Sequence, residues 1–149
     1  MVTTYGREIN TLLRVVGAIR TGAANHPSPN NKGELSAMQV QTLLAIAVQP
    51  GITTEDLRRV VVMSQSSASR NTRALGKWRG VTDADISEPG ADYVESMKDP
   101  RESRRKIHFL TPRGKAVVQK AIELNTGRPC GDFDPQTYKE WWARGGANG

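Results

Sequence analysis

The sequence predicts a mainly α-helical domain with a small β-hairpin, built around a helix-turn-helix. Three observations lead there. Apolar residues recur at helical three- and four-residue spacing over most of the 149-residue chain, while only residues 93–97 and 106–110 read as short strands. Residues 57–82 hold six basic side chains (Arg58, Arg59, Arg70, Arg73, Lys77, Arg79) and no acid. Residues 98–120 hold eight more against only Asp99 and Glu102. The whole chain carries a net charge of only +6, so its positive charge is gathered in two stretches and the remainder is net negative. Such polarisation points to a polyanionic partner, with a merely solvated basic face as the plainer alternative.

The elements follow in order. Residues 4–22 read as an amphipathic helix, because Ile9, Leu12, Leu13, Val16 and Ile19 share one helical stripe. Residues 23–34, rich in proline and asparagine, make a loop. Ser36 is placed to cap a helix over residues 37–49, with Val40, Leu43, Leu44, Ala47 and Val48 toward a core and Pro50 and Gly51 ending it. Thr53 heads the next helix, with Asp56 three residues on and acids where the helix end is positive. Leu57, Val60 and Val61 supply that helix's buried side. A tight turn then leads to Ser64, the cap of a helix over residues 65–78. Residues 79–92 are a long polar connection, and the two strands flank a charged turn at residues 98–105. Thr111 caps a last substantial helix with Pro112 at its first position. A loop over residues 125–134 and a short aromatic helix over residues 135–145 complete the chain, ahead of a frayed end.

The helix at residues 65–78 carries the chemistry. At about 100° per residue, Gln65, Ser66, Ser69, Arg70, Arg73 and Lys77 fall in one sector of roughly 140°. Ala68, Thr72, Leu75 and Trp78 fall opposite, facing a core. The first sector is all hydrogen-bonding groups and positive charge. Its short N-terminal side chains allow close approach to base edges, and Arg70 and Arg73 reach guanine edges or phosphates. Preceded by a helix and a tight turn, this is the layout of a supporting helix and a major-groove recognition helix. Lys98, Arg101, Arg104 and Arg105 at the hairpin tip form a second basic element, suited to a minor groove or the adjoining backbone. Ile107 and Phe109 alternate with Lys106 and His108, which predicts one buried and one wet strand face. Two adjacent tryptophans, Trp141 and Trp142, cannot both face one small core, so a partner surface is expected to bury the second.

This order of parts resembles the MarR-type winged helix-turn-helix regulators over residues 35–124. "LSAMQVQTLLAIA" is similar to that family's second helix, and "ITTEDLRRVVVMSQSSASRNTRAL" to its helix-turn-helix. "ESRRKIHFLTPRGKAV" resembles the wing signature, an Asp-any-Arg pair followed by a strand, Leu-Thr and a glycine three residues after the threonine. Leu110, Thr111 and Gly114 fit it. The acidic position is Glu102 instead of Asp if the distance to Leu110 sets the register; Asp99 with Arg101 is the alternative, with a longer wing. Glu102 with Arg104 preserves the family distance and is the favoured pairing, Glu102 orienting Arg104 without touching DNA. The connection at residues 79–92 is longer than the family's.

The resemblance implies a homodimer that binds pseudo-palindromic double-stranded DNA, often as a repressor. Recognition helices would lie about 34 Å apart, one turn of DNA. It divides the chain into an N-terminal dimerisation helix and loop (1–34), a winged helix-turn-helix DNA-binding domain (35–111) and C-terminal dimerisation helices and tail (112–149). The expected DNA contacts are Ser64, Gln65, Ser66, Ser69, Arg70, Arg73, Lys77, Lys98, Arg101, Arg104 and Arg105, Ser64 anchoring the helix end near a phosphate. Many members also bind a small-molecule effector, which nothing in this sequence identifies. Two other readings fit the same residues: a nonspecific nucleic-acid factor, architectural or in replication, and a winged-helix protein-interaction module.

Other chemistry finds little support. His26 sits in the proline/asparagine loop and His108 on the expected wet face, neither with a cysteine or carboxylate at a metal or triad spacing. Asp83, Asp85 and Glu88 lack the central glycine and terminal glutamate of a calcium loop, and no phosphate-binding glycine loop is present. No catalysis, cofactor or metal is therefore expected. Cys130 has no intramolecular partner and reads as a passive thiol before a redox sensor, since Asp132 opposes any activation by Arg128. The longest apolar stretches, residues 43–48 and 60–63, fall far short of the roughly 20 residues a bilayer requires. The N-terminus lacks a secretion pattern, so the expected setting is cytoplasmic and DNA-associated, in a bacterium or a virus-infected cell.

Overall fold

The computed structural model describes residues 5–21, 35–77 and 90–146. Trp78, Arg79, His26, the carboxylates of the connection (Asp83, Asp85, Glu88) and the loop at residues 23–34 lie outside the described residues. Among the described residues six helices and three strands follow the order α1 (Gly6–Thr21), α2 (Ala37–Val48), β1 (Ile52–Thr53), α3 (Thr54–Val61), α4 (Gln65–Leu75), β2 (Val94–Asp99), β3 (Glu102–Leu110), α5 (Pro112–Thr126) and α6 (Tyr138–Ala143). The strands form one antiparallel sheet in the order β1-β3-β2.

Local capping sets most helix starts. Ser36 accepts from the Gln39 backbone N–H while the Gln39 side chain accepts from Ser36 N–H, a complete capping box. Thr53 accepts from Asp56 N–H, Ser64 from Ser67 N–H and Thr111 from Gly114 N–H. Thr111 Oγ1 also donates to Asp92 O at 2.6 Å, tying α5 to the root of β2. Gly114 is required here, because a Cβ would run into the Tyr93 carbonyl on which the first turn of α5 presses. The turn between α3 and α4 passes through Val62 at φ 57°, a left-handed conformation that a β-branched residue adopts only at a cost.

The core lies where α1, α2, α3, α4 and α5 meet the sheet. Ile19, Val40, Leu43, Ile46, Ile52, Leu57, Val61, Ala68, Leu75, Val94, Leu110, Val117 and Ala121 are buried in it. Ile46, not Val48, points inward from α2, and Val61, not Val60, from α3; Val48 and Val60 are exposed. Helix α1 lies against α5. Only Ile19 of its expected stripe is buried, while Ile9, Leu12, Leu13 and Val16 are 54%, 60%, 70% and 47% exposed.

The hairpin is tighter than residues 98–105 suggested, turning at Pro100 and Arg101. Lys98 pairs with Lys106 but Asp99 with Glu102, so residues 103–105 bulge from β3. The expected alternation of wet and buried faces fails at the base of β3, where Ile107, His108, Phe109 and Leu110 are all buried. The departure is His108, and both faces are covered by distant segments: on one, α6 returns to the sheet and covers Phe109 with Tyr138 and Trp141, at ring-centroid distances of 5.7 and 5.9 Å. Burying a phenylalanine this way stabilises the fold by about 2 kcal/mol. On the opposite face His108 sits between two hydroxyls, Thr54 Oγ1 at 2.8 Å from Nε2 and Ser96 Oγ at 2.7 Å from Nδ1. Burial, reinforced by the charge of Lys106, pushes its pKa down to about 4.

Candidate nucleic-acid interface

Helix α4 is held from behind and left open in front. Ala68, Thr72, Ala74 and Leu75 are buried, and the Thr72 hydroxyl donates back to Ala68 O at 2.9 Å, so no buried polar atom of this side chain goes unpaired. Asn71 and Thr42 both reach the sulfur of Met63, which seats the turn. On the other side Gln65, Ser66 and Arg70 are exposed, and Ser69 and Arg73 are half-buried. The helix ends at Leu75, earlier than residue 78, so Lys77 follows its cap Gly76 and stands outside the helix.

The hydroxyls at the start of α4 form a small network. Ser64 Oγ lies 3.2 Å from Ser66 Oγ and 3.0 Å from Ser67 Oγ, and Arg70 Nη2 donates to Ser67 Oγ at 3.4 Å. Arg73 has no side-chain partner among the described residues. Not every cation of the acid-free stretch is available. On α3, Arg58 pairs with Glu55 at 3.1 Å, and Arg59 pairs with Glu55 and Asp56 at 3.3 and 3.4 Å. These are exposed pairs that contribute little to stability but cancel charge locally.

The connection at residues 79–92 does not loosen the step from α4 to the hairpin. Gly90 N–H donates to Lys77 O at 3.0 Å, closing the excursion at its base. Ala91, Asp92 and Tyr93 N–H then donate to Ala74, Gly76 and Leu75 O at 2.9, 3.0 and 2.8 Å. The carbonyls at the end of α4 are thus satisfied by the residues just ahead of β2, which places the start of that strand beside the helix end.

The wing corrects one expectation. Glu102 does not pair with the Arg104 guanidinium; it accepts only the Arg104 backbone N–H, at 3.3 Å. Asp99 is the hub instead, fully buried, receiving Arg101 Nε at 3.0 Å, Arg101 Nη2 at 3.2 Å, the Arg101 backbone N–H at 2.9 Å and Arg105 Nη2 at 2.8 Å. The Arg101 hydrogen bonds outweigh burial and hold the Asp99 carboxyl below its ordinary pKa. The bulge is the physical reason: it lengthens β3 by three residues, so the distance to Leu110 does not mark the acid. Two of the four expected wing cations, Arg101 and Arg105, are therefore tied to Asp99. Lys98 and Arg104 are exposed and have no side-chain partner among the described residues.

Among the described residues no three His, Cys, Asp or Glu side chains gather as metal ligands, and no helix is long and apolar enough to cross a membrane. Cys130 is half-buried, its thiol pointing at Gln119 O at 3.5 Å; burial, then Glu123 and Asp132, push its pKa up, away from thiolate chemistry.

No protein-family model matches the sequence, and no curated protein matches it. Solved structures do resemble it. The chain is similar to MarR at 22% identity and a TM-score of 0.50, over 82% of this chain and 74% of that one. It is similar to a MarR protein from Peptoclostridium difficile at 20% identity and a TM-score of 0.50, over 98% and 83%. It is similar to RV1404 from Mycobacterium tuberculosis at 19% identity and a TM-score of 0.50, over 84% and 76%.

Proposed function

We infer that this chain, which has the fold of the MarR-type winged-helix proteins, is a sequence-specific regulator of transcription that binds double-stranded DNA as a homodimer. The observation that carries the reading is the open side of α4. Gln65, Ser66, Ser69, Arg70 and Arg73 share a face without one acid, behind which the helix is locked to the core by Ala68, Thr72 and Leu75. A rigid helix with short polar groups at its start and two arginines beyond is built to enter a major groove. Ser64 and the first turn would meet a phosphate, and Lys77 would meet the backbone beyond the helix. Lys98 and Arg104 would make the wing contact, with Arg101 and Arg105 held by Asp99 beside the turn.

The dimer has its own support. Ile9, Leu12, Leu13 and Val16 form an exposed apolar stripe on α1, the kind of surface a second subunit covers. Two recognition helices related by a two-fold axis would read two half-sites, and a dimer seated on a promoter would repress by occlusion. Selection of bound duplexes from a random pool tests the whole reading. The expected product is a two-fold symmetric consensus with half-sites about one helical turn apart. Equal affinity for selected and random duplexes would instead identify a nonspecific nucleic-acid factor, and no retention of any duplex at low salt would favour a protein-interaction module.

A further inference from the structure

We propose that the C-terminal segment is a strap that holds the wing in place, with Trp141 as the residue that positions Arg101. The segment leaves α5 at its left-handed cap Gly127 and is fastened as it goes. Cys130 N–H donates to Glu123 Oε1 at 3.2 Å, Phe133 packs on the core, and Lys115 Nζ donates to Asp134 Oδ1 at 2.7 Å. Helix α6 then lands on the sheet. Tyr138 N–H donates to Glu95 Oε1 on β2 at 3.3 Å, and Tyr138 and Trp141 pack on Phe109 of β3. One short helix thereby grips both strands of the hairpin.

Trp141 reaches further than packing requires. The Arg101 guanidinium carbon lies 5.3 Å from the centroid of its ring, and the same guanidinium is bonded at Nε and Nη2 to Asp99. Arg101 is thus held by a buried carboxylate and an aromatic ring, at the turn of the hairpin. Gly146 packs against the Trp141 indole so closely that a Cβ there would enter the ring. Two strands of such a hairpin, alone, would be free to sway. Strapped, they hold the exposed Lys98 and Arg104 on a fixed hairpin. The proposal rests on the DNA-binding reading for its consequence, but the strap itself is a property of the free protein.

The experiment compares wild type, Trp141→Ala and Trp141→Phe as full chains. In the free proteins, amide hydrogen exchange over β2 and β3 and the NMR signal of the Arg101 Nε–H are followed. Trp141→Ala should speed exchange in the hairpin by about tenfold or more while leaving α2 and α5 protected, and should move the Arg101 signal out of the ring current. Trp141→Phe, which keeps a ring, should restore most of both. With the duplex selected from the random pool, Trp141→Ala should weaken binding by about three- to tenfold and lower the salt slope by about one. Unchanged exchange and an unmoved Arg101 signal would overturn the strap. A loosened hairpin with unchanged duplex affinity would overturn its positioning role. If wild type binds no duplex, the DNA-binding reading fails, and the exchange measurements still decide the strap. If Trp141→Ala unfolds, Trp141→Leu, which keeps an apolar side chain against Phe109 but puts no ring over Arg101, is read by the same exchange and the same Arg101 signal.

Discussion

Replacing His108 with glutamine should flatten the acid side of the protein's stability curve. The imidazole is buried between the Thr54 and Ser96 hydroxyls, with no carboxylate among its hydrogen-bond partners to welcome a second proton. Burial and then Lys106 depress its pKa from 6.5 to about 4. In the unfolded chain the ring titrates near 6.5. Between about pH 6.5 and about pH 4 the unfolded state therefore binds a proton that the folded state refuses, and stability falls as the pH falls. The neutral ring's contribution is full above 6.5, shrinks through that window and is spent below about 4. The difference of roughly 2.5 pK units corresponds to about 3 kcal/mol, a large part of a small domain's stability. Asp99 acts in a lower window, because its carboxyl is held below the ordinary range and its stabilisation disappears only as the pH falls through that depressed value. Urea unfolding across the window, at constant protein concentration, measures the effect. Wild type should lose about 3 kcal/mol and His108→Gln should lose far less, whatever its absolute stability. Parallel slopes for the two proteins would refute the argument, since His26 is the only other histidine and is common to both.

Four further outcomes follow from the packing and the charges. Gly114→Ala should destabilise by about 1–3 kcal/mol in urea unfolding, because its methyl meets the Tyr93 carbonyl and the first turn of α5 must back away. Leu13→Glu should shift sedimentation from dimer to monomer without loss of helix signal, as it puts a charge into the exposed stripe of α1; an unchanged mass would remove that stripe from the interface. Arg73→Ala should weaken binding to the selected duplex by about 1–3 kcal/mol in a titration. Arg104→Ala should lower the salt slope by about one, whereas Arg105→Ala, its guanidinium already committed to Asp99, should change the slope less.

Much of this protein was legible along the chain because its signals are local. Ser36, Thr53, Ser64 and Thr111 each cap the helix expected of them, since a cap needs only the three residues that follow it. The open face of α4 could be drawn from spacing alone, whereas Gly114 stood out only through the resemblance, and its close approach to Tyr93 appears only in the fold. What spacing could not settle was which neighbour arrives. Val48 and Ile46, or Val60 and Val61, are equally apolar, and only the packing of α2 and α3 decides which one is buried. Two-residue β1 is too short to show a period.

The wing shows the same limit more sharply. A bulge of residues 103–105 moved the acid from Glu102 to Asp99, and a bulge is set by cross-strand pairing that a count of residues cannot see. His108 reads as wet because nothing adjacent in sequence covers it; its two hydroxyl partners are Thr54 at the start of α3 and Ser96 on β2. Phe109 is roofed by a helix that starts at Tyr138, and Trp141 meets Arg101 forty positions back along the chain. Capping and periodicity are short-range and were decided by the sequence itself. Burial, ion pairing and the seat of the tail depend on surfaces brought together from distant segments, and those only the folded chain could decide.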